Sequence, residues 1–198
     1  LKEAMEDASL DPKEQRTVFI SGTTVGGMDK SEQFYLDFLS NDNHKEYIKT
    51  HDCGTCSEMI AEQYQGFEMM TTLSTACSSA ANAIQIGMEL IQSGRCDAAV
   101  VGGSECITKF HLNGFAALGI LSQQVCRPFQ EDRDGINLAE GAGYLVLETE
   151  DMARNRGTKN YGYLAGYANC CDAFHATASS PEGNGAYGAM ASALAMAG

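Results

Sequence analysis

Cys77 stands in Ser74-Thr75-Ala76-Cys77-Ser78-Ser79-Ala80-Ala81, between a β-branched run and a long apolar segment. A cysteine where a helix begins faces unpaired backbone N–H groups and the positive end of the helix dipole, and both stabilise a thiolate. The same N–H groups can hold the oxyanion that forms when sulfur attacks a carbonyl. Small neighbours leave room for a substrate. The alternative is that Cys77 is one more buried thiol, and a helix start alone does not separate the two.

Other residues offer different chemistry. Cys53-Gly54-Thr55-Cys56 is a C-x-x-C, the spacing of redox pairs and zinc sites. Zinc needs four ligands, and the sequence has no second C-x-x-C; Cys170 and Cys171 are adjacent, a poor spacing for one metal even with His51 and His175 in reach. A thioredoxin-type pair should follow a strand and open a helix, and the polar segment before His51 is no strand. These thiols are therefore expected to be packing residues, with no metal held. His175, among apolar neighbours, can be read as a base for Cys77.

The elements that must position Cys77 come next. Residues 71–76 are β-branched and bounded, a strand. Residues 78–92 carry polar side chains only in a narrow stripe at 82, 85, 89 and 92, which predicts a helix buried on nearly all sides. Ser93-Gly94 ends it, and the continuous apolar run at 98–103 reads as a strand covered on both faces. Strand, helix, strand is a right-handed βαβ unit. Upstream, residues 1–10 have helical spacing stopped by Asp11-Pro12, and residues 17–20 form a strand entering the glycine-rich turn 21–27. Helices follow at 31–39 and 57–64. Downstream lie two short strands around 136–138 and 144–147 joined by glycines, and a helix at 151–156 closed by Gly157. A strand at 161–167 and a small-residue helix at 185–197 come last.

Composition narrows the class. The 198 residues are 44% hydrophobic and 20% charged, which argues against disorder, and this length can bury roughly 70% of its surface. Thirteen basic against 26 acidic residues give a net charge of −13, which disfavours nucleic acid and anionic membranes as partners. The longest clean apolar run is far too short to span a bilayer. The charged opening Leu1-Lys2-Glu3 is no signal peptide, and the missing initial Met points to a fragment. Eight cysteines without a secretory signal read as reduced thiols in the cytoplasm.

Five motifs occur in order: T-A-C-S-S-A-A-N-A-I at 75–84, D-A-A-V-V-G-G-S-E at 97–105, R-P-F-Q-E-D-R-D-G at 127–135, L-A-E-G-A-G-Y-L-V-L-E at 138–148 and D-A-F-H at 172–175. Together they resemble the β-ketoacyl-acyl-carrier-protein synthases, over roughly residues 17–198. The resemblance implies an α/β, thiolase-like layered αβαβα fold of duplicated halves around two central helices. Residues 1–160 would be the N-terminal half, incomplete at its start, and 161–198 the beginning of the C-terminal half.

The resemblance also implies roles. Cys77 would accept the acyl chain as a thioester; a carrier-bound malonyl unit would lose carbon dioxide and its carbanion attack that thioester. Phe115 looks like an acyl-channel residue, with core packing as the other reading. Glu140 falls on a family acid expected to be a buried structural partner. His175 would lie near the site entrance, and so is not one of the two histidines that drive decarboxylation. Those belong to A-H-G-T and T-G-H motifs, which this sequence lacks, and His44, His51 and His111 fit neither. Expected partners are an acyl carrier protein and a second copy of the chain, joined through the strand before Cys77; no cofactor or metal is implied. Acidic carriers want a basic docking surface, for which Arg154, Arg156 and Lys159 are the visible cluster. Gln130 and Asn137 are small departures from the family pattern, and an unmatched segment at 51–56 suggests a specialised branch making polyene or aryl-lipid products. A non-catalytic chain-length-determining subunit and a coenzyme A-dependent thiolase are the alternatives.

Overall fold

The computed structural model describes residues 1–41, 43–175 and 178–198. Four strands make one sheet: β1 (Thr17–Gly22), β2 (Met69–Leu73), β3 (Ala98–Glu105) and β4 (Gly141–Glu148), in the order β2-β1-β3-β4. β1 is parallel to β2 and β3, and β4 runs antiparallel to β3. Every residue of β1 is buried, as are Ala98–Val101 of β3. Two-sided burial is why neither segment alternates polar with apolar.

Alternate side chains of these strands serve two cores. Val18, Ile20, Ala99 and Val101 pack with Ala83 and Leu90 of α4 (Ser79–Gln92). Phe19, Ala98 and Val100 pack on the other face with Met5 of α1 (Lys2–Asp7), Leu10, and Ile60, Ala61 and Tyr64 of α3 (Cys53–Tyr64). Phe19 stacks on Phe67 at 5.4 Å between ring centroids. The result is helix, sheet, helix. Beside it, α2 (Met28–Asn41) packs on a 3-10 helix (Lys45–His51), with Phe34 stacked on Tyr47 at 4.8 Å. Helices α5 (Lys109–Ala117), α6 (Glu150–Arg156) and α7 (Asn184–Ala197) complete the elements. Among the described residues, no helix is long and apolar enough to cross a membrane.

Several expectations are corrected. β2 occupies 69–73 rather than 71–76, because its ladder runs out where β1 ends at Gly22. One strand, β4, replaces the two expected around 136–138 and 144–147; Gly141 and Gly143 lie inside its ladder, opposite Glu105 and Gly103. Ile136 makes only an isolated bridge to Leu121. Residues 161–167 form no strand and are held by side chains, Tyr161 donating to Asp7 of α1 at 3.0 Å and Tyr167 to Glu89 of α4 at 2.6 Å. β1 lies between β2 and β3, so the βαβ crossover passes over one strand. Helix α4 is buried along one face only, at Ser79, Ala83, Gly87, Met88 and Leu90, while Ala80 and Ala81 are exposed. The sheet covers that one face and nothing as broad covers the other.

Candidate active site

Cys77 sits four residues past the end of β2 and two before the start of α4. The turn between them is tightly specified. Gly22, at the end of β1, lies against the first turn of α4, where a Cβ would fall 2.5 Å from the Ala80 nitrogen. Ala76 has φ +52°, a left-handed conformation costing a non-glycine residue roughly 1 kcal/mol. Hydrogen bonds hold it there. The buried Ser79 hydroxyl accepts from the Thr75 amide at 2.8 Å and donates to the Ala76 carbonyl at 2.6 Å. The Ser79 amide donates to the same carbonyl at 3.1 Å. The Asn82 side-chain amide donates to the Thr75 hydroxyl at 2.8 Å.

The consequence is that Cys77 points outward. It is exposed, which excludes the reading of a buried packing thiol. Ser78, at the N-cap of α4, makes no side-chain capping bond; its hydroxyl donates to the Thr75 carbonyl at 2.8 Å instead. Of the first-turn amides, that of Ser79 is spent on the Ala76 carbonyl, which leaves those of Ala80 and Ala81 without an acceptor within the helix and available to an anion.

Phe115 lies on α5, whose start is capped twice. Glu32 accepts from the Lys109 and Phe110 amides, each at 2.7 Å, and Thr108 accepts from the His111 amide at 3.1 Å. Phe115 is half-buried, stands edge-on to His111 at 6.1 Å and belongs to neither core cluster. His175 accepts the Ala178 amide through Nδ1 at 3.2 Å. Asp172 anchors the same stretch by accepting from the Ser180 amide at 2.6 Å and the Gly185 amide at 3.2 Å.

Residues 167–169 pass along α4 in the direction opposite to the helix. Tyr167 donates to Glu89 at 2.6 Å, holding that carboxyl below its ordinary range, and Asn169 donates to Asn82 at 2.8 Å. Since Asn82 also bonds Thr75, a chain of side chains ties residue 169 to the Cys77 turn. Residues 170–175 therefore leave α4 at the end that carries Cys77. Ser79, Asn82 and Asn169 escaped the sequence reading, although the first two lie inside its T-A-C-S-S-A-A-N motif.

Other expected features fall as follows. Glu140 is exposed rather than buried, and accepts from the Ile107 amide at 2.9 Å. The basic cluster is engaged locally: Arg154 pairs with Glu150 at 2.6 Å, and Lys159 lies 4.1 Å above the Tyr161 ring. Arg156 faces Glu148 at 2.5 Å as an ion pair without hydrogen-bond alignment, and burial still pushes the Glu148 carboxyl up. Cys53 opens α3, so the C-x-x-C does begin a helix, preceded by a 3-10 helix instead of a strand. All eight cysteines are free. Among the described residues, no three His, Cys, Asp or Glu side chains are grouped to hold a metal ion. Two cavities open elsewhere and Cys77 lines neither. One of 460 Å³ lies beside Phe67 and Met69; one of 160 Å³ lies between α3 and the ends of β1 and β3.

Comparison with known proteins places this arrangement. Residues 1–153 match the family model described as Beta-ketoacyl synthase, N-terminal domain. A 3-oxoacyl-[acyl-carrier-protein] synthase 2 from Staphylococcus aureus is 35% identical over 211 aligned positions, covering 100% of this chain and 52% of the relative. The chain thus spans about half the length of the curated relatives it matches. Among solved structures, a type II polyketide synthase acyl-carrier protein in complex with its ketosynthase bound to the hexaketide gives a TM-score of 0.89 at 30% identity, covering 99% of this chain and 53% of that one. A ketosynthase in complex with its chain length factor from Xenorhabdus doucetiae gives 0.80 at 34% identity, covering 100% and 47%.

Proposed function

The chain belongs to the β-ketoacyl synthase family, and we propose that it supplies the acyl-accepting nucleophile, Cys77, of a 3-oxoacyl-acyl-carrier-protein synthase. The observation that carries this is an exposed sulfur beside an uncapped helix start, on a turn whose strained residue is held by Ser79. The Cys77 sulfur attacks the carbonyl of a carrier-bound acyl thioester. First-turn amides of α4 receive the oxyanion, and its collapse expels the carrier thiol. A malonyl thioester then loses carbon dioxide, and its carbanion attacks the Cys77 thioester. The β-ketoacyl carrier product leaves and the Cys77 thiol returns.

Phe115 lines the acyl channel in this reading, and its half-burial outside both cores supports that over simple packing. His175 stands near the entrance, supported by the antiparallel path of residues 167–169 along α4 toward the Cys77 turn. The decarboxylating histidines belong to motifs this sequence does not contain. Residues 1–160 form the N-terminal half and 161–198 begin the C-terminal half; the family match ending at 153 supports that boundary. Partners are an acyl carrier protein and a second copy pairing along β2, an edge strand of the sheet. The location is cytoplasmic, the reading that eight cysteines without a secretory signal support.

The test is intact-mass analysis of the full-length protein offered acyl-carrier and acyl-coenzyme A thioesters, with Cys77→Gln as control. Loading from the carrier alone, abolished in the variant, is the expected result. Loading that survives the substitution removes Cys77 from its role, and efficient loading from coenzyme A favours the thiolase alternative. The loaded acyl groups also test the specialised-branch reading of residues 51–56: a strict preference for ordinary saturated chains overturns it.

A further inference from the structure

We propose that Cys53 and Cys56 form a reversible dithiol–disulfide couple, a modification site for low-molecular-weight disulfides at the start of α3 and separate from Cys77. The two residues are the first and fourth of the helix, hence on one face, where side chains three apart have Cβ atoms about 5–6 Å apart. A disulfide needs them about 3.5–4.5 Å apart, so closing the ring asks only a small shift of the first turn.

The surroundings divide that shift unequally. Cys53 is fixed by its backbone: Gly26 lies so close that a Cβ there would fall 2.9 Å from the Cys53 Cα. Cys56 instead borders the 160 Å³ cavity, lined also by Ser21, Thr23, Ile60 and Cys106. That cavity is free space into which the first turn can adjust. Both thiols are half-buried and so within reach of a small reagent, unlike Cys96, which is 2% exposed in the core.

The thiol chemistry fits an ordered exchange. Burial, and then the charges of Asp29 and Cys53, push the Cys56 thiol up, which disfavours Cys56 as the first attacker. Cys106, the remaining thiol of the cavity, is pushed up to about 11 by burial and by Asp29, and does not compete near neutral pH. The Cys53 thiolate attacks one sulfur of the disulfide reagent and expels one thiolate. Cys56 loses its proton to that thiolate, attacks the Cys53 sulfur and expels the second. Two protein thiols are oxidised to one disulfide, and one disulfide is reduced to two thiols. The site is connected to the catalytic strand: Ser57, next after Cys56 and buried, accepts a hydrogen bond from Thr72 of β2 at 2.6 Å.

The experiment treats the reduced full-length protein with oxidised glutathione, quenches in acid, alkylates and maps the peptides. The peptide spanning 53–56 is expected to lose two hydrogens, escape alkylation and recover both thiols with dithiothreitol. Cys56→Ser should trap one glutathione on Cys53, and Cys106→Ser should leave the disulfide unchanged. Exposed Cys77 reports that the reagent acted. Alkylated Cys53 and Cys56 in wild-type protein whose Cys77 is modified overturns the proposal, as does a Cys56–Cys106 disulfide. The wild-type map decides the matter even if a variant does not fold.

Discussion

Helices α3 and α4 both begin at cysteines, yet the two beginnings are built in opposite ways. At α3 the Asp52 carboxylate caps the helix, accepting from the Gly54 amide at 2.8 Å, and the cysteines lie inside the first turn. At α4 the N-cap Ser78 turns its hydroxyl back to Thr75, and Cys77 stands ahead of the first turn, exposed. A fixed carboxylate already occupies the positive end of α3, so an incoming oxyanion finds no vacancy there. The end of α4 carries no such charge. A helix start becomes a site for acyl chemistry when its own cap leaves some first-turn amides unused, here those of Ala80 and Ala81.

Three pairs of substitutions test that contrast, beginning with the largest effect, and a single one serves as control. Cys77→Ala should lower acyl loading by on the order of 10³-fold or more, while Cys53→Ala should leave it within about twofold, read by intact mass. Equal losses would erase the distinction. Next, Gly22→Ala drives a Cβ to 2.5 Å from the Ala80 nitrogen and should cost about 1–3 kcal/mol in denaturant unfolding. Gly54→Ala meets only the movable Asp52 side chain at 3.3 Å, and should change stability by less than about 0.5 kcal/mol.

Asp52→Ala should cost about 1 kcal/mol through the lost cap, and Ser78→Ala less than half of that, since Ser78 caps nothing. The smallest effect belongs to the opposite end of the two central strands, where β1 and β3 begin. There Arg16 donates to Asp97 at 2.6 Å and holds its carboxyl below the ordinary range, first through the hydrogen bond. The stabilisation is present above the unfolded carboxylate pKa of about 3.9 and is lost as pH falls through the lower folded value. Asp97→Asn should therefore move acid unfolding slightly to higher pH and leave labelling of Cys53 and Cys77 unchanged.

The central architecture was readable because burial writes itself into composition. A run such as Ala98-Ala99-Val100-Val101 has no polar face to offer, and the structure covers it on both sides. The junction holding Cys77 was readable from β-branched residues giving way to small ones. The left-handed Ala76 was not, since nothing local favours that conformation in alanine; Ser79 imposes it through two bonds to the turn. The start of α3 was placed four residues late, although Asp52 followed by the Gly54 amide is a capping signal in plain view. Residues 161–167 alternate small and aromatic like a strand, but Tyr167 spends its hydroxyl on Glu89 rather than lying in a ladder.

Local propensity and hydrophobic pattern determined which segments are helix or strand, and which cysteine begins a buried-faced helix, because both are set by neighbours a few residues apart. The ladder that ends β2 at Leu73, the strain at Ala76, the outward aim of Cys77 and the route of residues 167–169 along α4 were decided only by tertiary structure. The Ala76 turn is held by Ser79 and Asn82 a few residues on, but it is placed by the close approach of Gly22. The end of β2 and the path of residues 167–169 depend on partners far away in the chain, such as Gly22 and Glu89, and sequence spacing carries no record of which distant groups will meet.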